Sequence, residues 1–496
     1  MFEILTENGQ IHEVWFDGAH PKRKGGQTYN YPAWKELIHK LAPNAVIFGR
    51  EDVRWCGNEA GGTRPTEWNV ITYQADPDTM TQFADMTDPV LGDREKLYQA
   101  KYLHYQQAET NTSIREGWFY RDDTHQKVRS ADDVFDIYER AVGGNSTFLL
   151  NIPPNRDGKF SPADVESLKE AGKRIRETYG TDLLAGAKGP KEVLDGKNDT
   201  YLLMKEKEFT VTMPSPVTLN RIMLQEAIAT HSERVEKHAV DAWIDGAWKE
   251  IAVSTNIGYK RILRFPEVTT DKLRFRLLES RLIPAISHIS AHYYKSRPPQ
   301  LSFRRDMDGK VAIKPKLQDF GWNSHGQNAA ENLNVGYKIY YTTDGTEPSE
   351  TSTEYKEPVV LDRCELKAVA VLHGEKGAVA SERLGLIKKD WKLSEVEGNP
   401  LYLTIDLGKS QELSGLAYTP QAGKNFKGGV TKVVVKVSDD GQQWKTVESV
   451  EFGNLVNDPT KRFHYFKNTV AARYVRIEPT VMAQEGKLTL GNIDLL

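Results

Sequence analysis

Hydrophobic and polar positions change rhythm near Thr181. Before it, short apolar runs alternate with stretches of helical period, the pattern of βα units around a parallel sheet. The predicted strands cover residues 12–17 (HEVWFD), 45–49 (AVIFG), 117–120 (GWFY) and 147–152 (TFLLNI), with helices over 32–41 and 131–142. A last helix is marked by Ser161 as N-cap, Pro162 in the first turn and Asp164 at capping-box spacing. Val165, Leu168, Gly172 and Ile175 then share one face. Beyond Thr181, short alternating strands separated by turn residues predict β-sandwich modules.

Two of these modules read as copies of one type. The turn and return strand of 245–251 (DGAWKEI) recur at 440–447 (DGQQWKTV), and 272–277 (KLRFRL) is matched by 473–477 (RYVRI). Between them, 296–300 is a Pro-rich linker, and 337–346 (YKIYYTTDGT) with 366–372 (LKAVAVL) predicts a small sandwich. The chain thus divides into 1–178, 181–295, 298–386 and 387–496. The fold class expected is multidomain α/β plus all-β, an incomplete (β/α)8-type barrel followed by β-sandwich modules. Only about four βα units can be counted, whereas a closed barrel takes ~250 residues.

At 496 residues the chain exceeds a single core, and ~150 residues per domain predicts several. The net charge of −3, from 66 basic and 69 acidic residues, offers no excess positive field for nucleic acid or an anionic membrane. Cys56 and Cys364 fall in different modules, so no disulfide framework is expected. No apolar stretch approaches the ~20 residues of a membrane span. The opening MFEILTENGQ has neither a basic n-region nor an apolar h-region.

Candidate chemistry lies at strand ends. Asp17 closes the apolar run EVWFD, and the C-terminal ends of barrel strands face the active site. The next strand leads into 50–62 (REDVRWCGNEAGG), which offers Glu59 as a second carboxylate. Retaining glycosidases need two carboxyl groups ~5–5.5 Å apart, one to attack the anomeric carbon and one to protonate the leaving oxygen. Each residue also has a plainer reading, Asp17 as a cap of the following loop and Glu59 as a partner of Arg54 or Arg64.

Four ordered segments, 12–19 (HEVWFDGA), 54–61 (RWCGNEAG), 112–120 (TSIREGWFY) and 149–158 (LLNIPPNRDG), resemble the α-L-fucosidases of glycoside hydrolase family 29. The resemblance implies Asp17 as nucleophile. In the subgroup preferring branched α-1,3/1,4-linked fucose it also implies Glu59, in Trp55-Cys56-Gly57-Asn58-Glu59, as acid/base, with Trp55 and Asn58 beside the substrate. Glu109 competes for the acid/base role; in that subgroup it is expected to bind the neighbouring galactose. Trp118 packs against the fucose methyl face or belongs to the barrel core, and Asn151 and Asn155 shape the turn after the last strand. Family barrels begin with strands whose His and Trp residues bind fucose hydroxyls. Here the nucleophile is residue 17, so the chain is expected to lack the opening third of the barrel.

The family implies fucosylated oligosaccharides or glycoconjugates as partners, no required cofactor or catalytic metal, and a periplasmic or cell-surface location. Residues 387–496 resemble a discoidin-like (coagulation-factor type C) sugar-binding module through 401–408 (LYLTIDLG), 434–444 (VVKVSDDGQQW), 473–477 and Gly491-Asn492-Ile493. Residues 181–295 resemble the same fold more faintly, and the segment around 340–345 looks like a chitobiase-associated sandwich. In the last module, Tyr418 and Phe426 are candidates for stacking on sugar, and modules of this type often carry a structural calcium held by loop oxygens. The leading expectation is a retaining exo-α-L-fucosidase acting on Lewis-type glycans. The alternative is a non-catalytic glycan-binding protein with a vestigial barrel.

Overall fold

Among the residues described by the computed structural model (1–16, 30–80, 83, 86–115, 117–120, 128–316, 333–396, 402–421, 428–453, 455, 461–484 and 491–496), the N-terminal part contributes seven strands. They are β1 (Glu13–Trp15), β2 (Val46–Phe48), β3 (Val53–Trp55), β4 (Val70–Tyr73), β5 (Tyr102–Tyr105), β6 (Gln107–Ser113) and β7 (Thr147–Asn151). β4 and β5 pair antiparallel. The other five form one parallel sheet in the order β1-β2-β3-β6-β7. Each new strand joins the same growing edge, as in a barrel wall; a doubly wound sheet would reverse direction at a switch point.

The helices are α1 (Phe2–Thr6), α2 (Tyr31–Leu41), α3 (Arg94–Gln99), α4 (Ala131–Val142) and α5 (Pro162–Tyr179). Their starts follow side-chain chemistry. Asn30 accepts from the Ala33 amide at 3.3 Å, and Ser130 from the Asp133 amide at 3.1 Å. Ser161 is the N-cap of α5 and Pro162 lies in its first turn, as expected, although the Ser161 side chain makes no cap bond, which is a correction. The capping-box reading of Asp164 is corrected too, because its buried carboxylate pairs with Arg115 Nε at 3.0 Å.

Residues 117–120 are not a strand; they form bends, and Gly117 has φ +92°. The strand expected there is β6, ten residues earlier. Its sequence QAETNTS is polar, so no hydrophobic alternation marks it, yet all but its first residue are buried. Ladder bonds to β3 and β7, with side-chain hydrogen bonds, satisfy those polar groups.

From residue 202 onward the sheets are antiparallel. The repeat read in the sequence is a repeat of topology. Val235–Ile244 and Ala247–Ser254 form a hairpin around Asp245 and Gly246, both at positive φ, which suits a tight primed turn. The hairpin adds to the long strand Arg261–Ser280, which pairs with Glu208–Glu226, and Ala285–His292 follows. In the C-terminal module Val430–Ser438 and Lys445–Glu451 form the hairpin, Arg462–Met482 and Tyr402–Thr419 the long pair, and Asn492–Leu495 the last strand. Register shifts along both long pairs bend the strands, so each serves more than one face of its core. Between the copies, Leu301–Arg305, Lys310–Pro315, Lys338–Thr342, Cys364–Leu372 and Ala380–Leu384 enclose a smaller core around Val311, Leu366 and Ala368.

The described residues fall into two compact units, one ending at Lys295 and the other running from Ser296. Inside the first, α4 docks the parallel sheet's helical layer on the first antiparallel module. Glu139 pairs with Arg221 at 2.7 Å and Asp136 with Arg264 at 2.7 Å, all but Arg264 buried. Inside the second, Tyr418 corrects an expectation. It shares a face with Leu416 in the strand Tyr402–Thr419, is fully buried, and its ring lies 4.8 Å from that of Phe452. A side chain inside the core cannot stack on sugar. Phe426 lies outside the described residues. No described helix is long and apolar enough to cross a membrane.

Candidate functional site

The tips of β1, β2 and β3 converge through parallel register. Trp15 lies opposite Phe48, and their rings stack at 4.2 Å; Phe48 lies opposite Val53. The Phe16 amide donates to the Phe48 carbonyl at 3.3 Å. A Cβ on Gly49 would sit 2.8 Å from the Phe16 carbonyl oxygen, and its φ of +75° also favours glycine. Asp17 lies outside the described residues; its chain neighbour Phe16 stacks parallel to Trp34 at 5.9 Å.

The loop bearing Glu59 leaves β3 along a defined path. The Cys56 amide donates to the Glu109 carbonyl at 3.1 Å. Gly57 turns at φ +88°, where a Cβ would lie 2.7 Å from the Met86 carbonyl oxygen. Asn58 then braces the turn: its Nδ2 donates to Gly62 O at 3.1 Å, and its Oδ1 accepts from the Ala60 amide at 2.9 Å. Buried and committed at both ends, Asn58 shapes this loop, which replaces the substrate contact expected of it. Arg54 and Arg64 both pair with the buried Glu67, at 2.5 and 3.0 Å. The plainer reading of Glu59 as their partner therefore fails. Glu59 is half-buried, and among the described residues no hydrogen bond or ion pair holds it. Next to the loop, Trp55 is half-buried and donates to Asn111 Oδ1 at 3.2 Å.

Glu109 has no exposure, and Trp15 Nε1 donates to its Oε1 at 2.9 Å. Burial first, and the neighbouring Glu13 carboxyl second, push Glu109 up to about 8, with the Trp15 N–H pulling the other way. A carboxyl closed off from solvent and held by β1 does not meet a sugar, so the expected galactose contact of Glu109 is corrected. Cys56 is equally sealed: burial raises its thiol to about 11, and its sulfur lies 3.3 Å from Thr110 Oγ1. Trp118 is half-buried, and its carbonyl accepts from Asn151 Nδ2 at 2.9 Å; Asn151 also donates to Ser113 Oγ at 3.1 Å. Asn155 Oδ1 accepts from the amides of Asp157 and Lys159, both at 3.0 Å, and shapes its turn as the sequence suggests.

Sequence reasoning passed over Glu13, Trp15 and Glu67. For the first two a signal existed: positions 13 and 15 share one face of a strand that ends in a carboxylate candidate. Among the described residues no group of three or more His, Cys, Asp or Glu side chains is placed to hold a metal ion.

The described residues thus combine a parallel barrel wall, with Glu59 on a loop at the β3 tip, and antiparallel modules. Comparison with known proteins sharpens this: residues 2–179 match the α-L-fucosidase family, 331–384 the Fn3-associated family and 367–491 the F5/8 type C family. The start of the chain is thus similar to an α-L-fucosidase domain and the stretch near its end to an F5/8 type C domain. It is 30% identical over 322 residues to alpha-L-fucosidase 1 of Arabidopsis thaliana, covering 60% of each chain. A rice relative, named a candidate alpha-L-fucosidase 1 (Oryza sativa subsp. japonica), is 31% identical over 314 residues, 58% of this chain and 57% of its own. A Bacteroides ovatus ATCC 8483 crystal structure, named for an alpha-L-fucosidase, superposes with a TM-score of 0.55 at 29% identity, covering 100% of this chain and 71% of that one. The chain spans about three fifths of the length of the plant relatives it matches.

Proposed function

We propose that the chain acts as a retaining exo-α-L-fucosidase on terminal α-1,3/1,4-linked fucose of Lewis-type glycans. The observation that carries this reading is Glu59. It stands on a loop braced by Asn58 and by the Arg54–Glu67–Arg64 cluster, yet is itself engaged by none of them. The β3 tip that launches this loop is separated from the β1 tip, which precedes Asp17, only by β2.

In the first step the Asp17 carboxylate attacks the anomeric carbon of fucose. The glycosidic C–O bond breaks, and Glu59 gives its proton to the departing oxygen. In the second, Glu59 takes a proton from water, the water oxygen bonds to the anomeric carbon, and the Asp17 carboxylate leaves. Two inversions return the original configuration. Trp55 and Trp118, both half-buried, are the aromatic surfaces assigned to the sugar. The galactose contact first expected of Glu109 falls to no described carboxylate in this reading.

The purified chain, given a Lewis trisaccharide and an aryl α-L-fucoside, is expected to release fucose that appears first as the α-anomer by NMR. Asp17→Asn should remove release. Glu59→Ala should slow it by roughly 10²–10⁴-fold and recover with azide, a small anion that replaces water once the acid is gone. Absence of fucose release, or an Asp17→Asn variant as active as the parent, overturns the reading.

A further inference from the structure

β5 and the first antiparallel module line a cavity of ≈ 550 Å³, a volume within the range of small-molecule sites. It lies at the end of the parallel sheet away from the loop of Glu59. Tyr105, which lines it, ends β5, and Gln107, just beyond, pairs with Val53 at the start of β3. The buried floor comes from a bulge. Ile286 pairs with Glu226 and His288 with Gln225, so Ser287 is the extra residue between them. Ser287 lines the cavity at 1% exposure, and among the described residues no group bonds its Oγ. A buried hydroxyl left without a partner is costly, and a ligand hydroxyl can supply one. Ser232, also in the lining, has φ 60° and ψ −168°, a strained backbone for a residue with a Cβ; such strain gathers at ligand sites.

Two exposed tyrosines form the rim, and both are set in place by the fold. The Tyr105 hydroxyl donates to Gln107 Oε1 at 2.6 Å. The Tyr259 amide donates to Asn145 Oδ1 at 2.8 Å, and its carbonyl accepts from Gln225 Nε2 at 3.0 Å. A rim ordered in advance lowers the cost of binding. Glu226 is the charged side chain among the described lining residues, and its carboxylate is already engaged: Oε1 accepts from the amides of Arg234 and Val235 at 2.9 and 3.0 Å, and Oε2 from that of Gly258 at 2.9 Å. Among those residues there is no cation to receive a phosphate or carboxylate. What remains is aromatic rings beside neutral amides and hydroxyls, which suit an uncharged ligand with an apolar face and many hydroxyl groups. We propose that this cavity binds a neutral saccharide as a second glycan site, remote from Glu59, with the apolar face of the sugar on Tyr259 and a sugar hydroxyl on Ser287. The inference does not use the catalytic roles given above to Asp17 and Glu59.

Titration calorimetry of the whole chain with N-acetyllactosamine, a neutral disaccharide without fucose, tests this. The parent should bind it with a Kd on the order of 1 mM. Tyr259→Ala should weaken binding about tenfold. Ser287→Ala should weaken it about fivefold without lowering the denaturation midpoint of the first unit, because the hydroxyl it removes has no partner in the folded chain. Ala229→Trp, at the exposed edge of the cavity, places an indole in the sugar's way and should abolish binding with the midpoint kept. Fucose release from an aryl fucoside should be the same in Tyr259→Ala as in the parent. No binding at about 10 mM sugar, or binding unchanged in both Tyr259→Ala and Ala229→Trp, overturns the site. A loss of fucose release that parallels the loss of binding places the sugar at the catalytic acids and overturns it too. Binding is read without catalysis, so a chain that binds the disaccharide as described but releases no fucose supports this site and rejects the roles of Asp17 and Glu59.

Discussion

Glu67 accepts from Arg54 and Arg64 in a site with no solvent exposure, and also takes the Arg64 amide at 3.0 Å. Buried ion pairs add little net stability against an apolar replacement, but removing one partner strands the other charge. Glu67→Ala strands two guanidinium groups, so a loss of roughly 3–5 kcal/mol is expected in chemical denaturation, with loosening of the loop that carries Glu59. A loss below about 1 kcal/mol would show that water reaches these arginines. At this scale the sequence was partly readable. Asp17 and Glu59 stand out because a motif isolates them. The partner of Arg54 does not, since Glu59 and Glu67 are both acids a few residues away and only the folded loop chooses between them. Asn58 reads as a binder through the motif that contains it and Tyr418 as an aromatic at the edge of a loop; the fold gives them internal partners instead.

Elements were legible where they alternate or repeat. Helices α2 and α4 follow from helical period, and the Asp-Gly hairpins of both sandwich copies follow from turn chemistry. β6 was not, because its burial is compensated by hydrogen bonds rather than by apolar side chains. The end of α4 shows how closely elements are fitted. A Cβ at Gly143 would meet Ile262 of the first sandwich at 2.5 Å, and one at Gly144 would run into the Arg140 carbonyl and the Thr63 side chain. Gly144→Ala must displace backbone or Thr63, so it should destabilise the first unit by about 1–3 kcal/mol, readable as a lower denaturation midpoint. A neutral result would mean that α4 slides freely on its neighbours.

For the whole molecule, buried acids make the two units respond to pH differently. Burial pushes Glu226 up to about 8, although the amides of Arg234, Val235 and Gly258 donate to it, and raises Glu233 as well; Glu109 behaves likewise. Each binds its proton more tightly folded than unfolded. Their contribution is therefore fully present below ~4.5 and is lost as pH climbs through 8. His238, held near 3 by burial, with His288 and His292 also lowered, acts in the opposite sense, but only below the unfolded value of ~6.5. Between pH 6.5 and 8 the glutamates decide the sign. In the second unit burial would raise Asp494, but Lys388 and Lys461 outweigh it, and Arg473 lowers Asp406. Those contributions stand above ~4 and are lost on acidification. Scanning calorimetry should show the first unit's midpoint falling between pH 6.5 and 8 while the second's holds. A first-unit midpoint that rises over that window would contradict the assignment.

The linear chain by itself determined the change from βα alternation to antiparallel modules, the duplication of one module, and the motifs bearing Asp17 and Glu59. Periodicity and turn chemistry are local, so residues a few positions apart carry that information. Which acid the two arginines take, that Glu109 accepts from Trp15, and that Tyr418 is sealed inside a core were decided by tertiary structure alone. The reason is physical: charge pairing and desolvation depend on neighbours brought together from distant positions, 94 residues apart for Trp15 and Glu109.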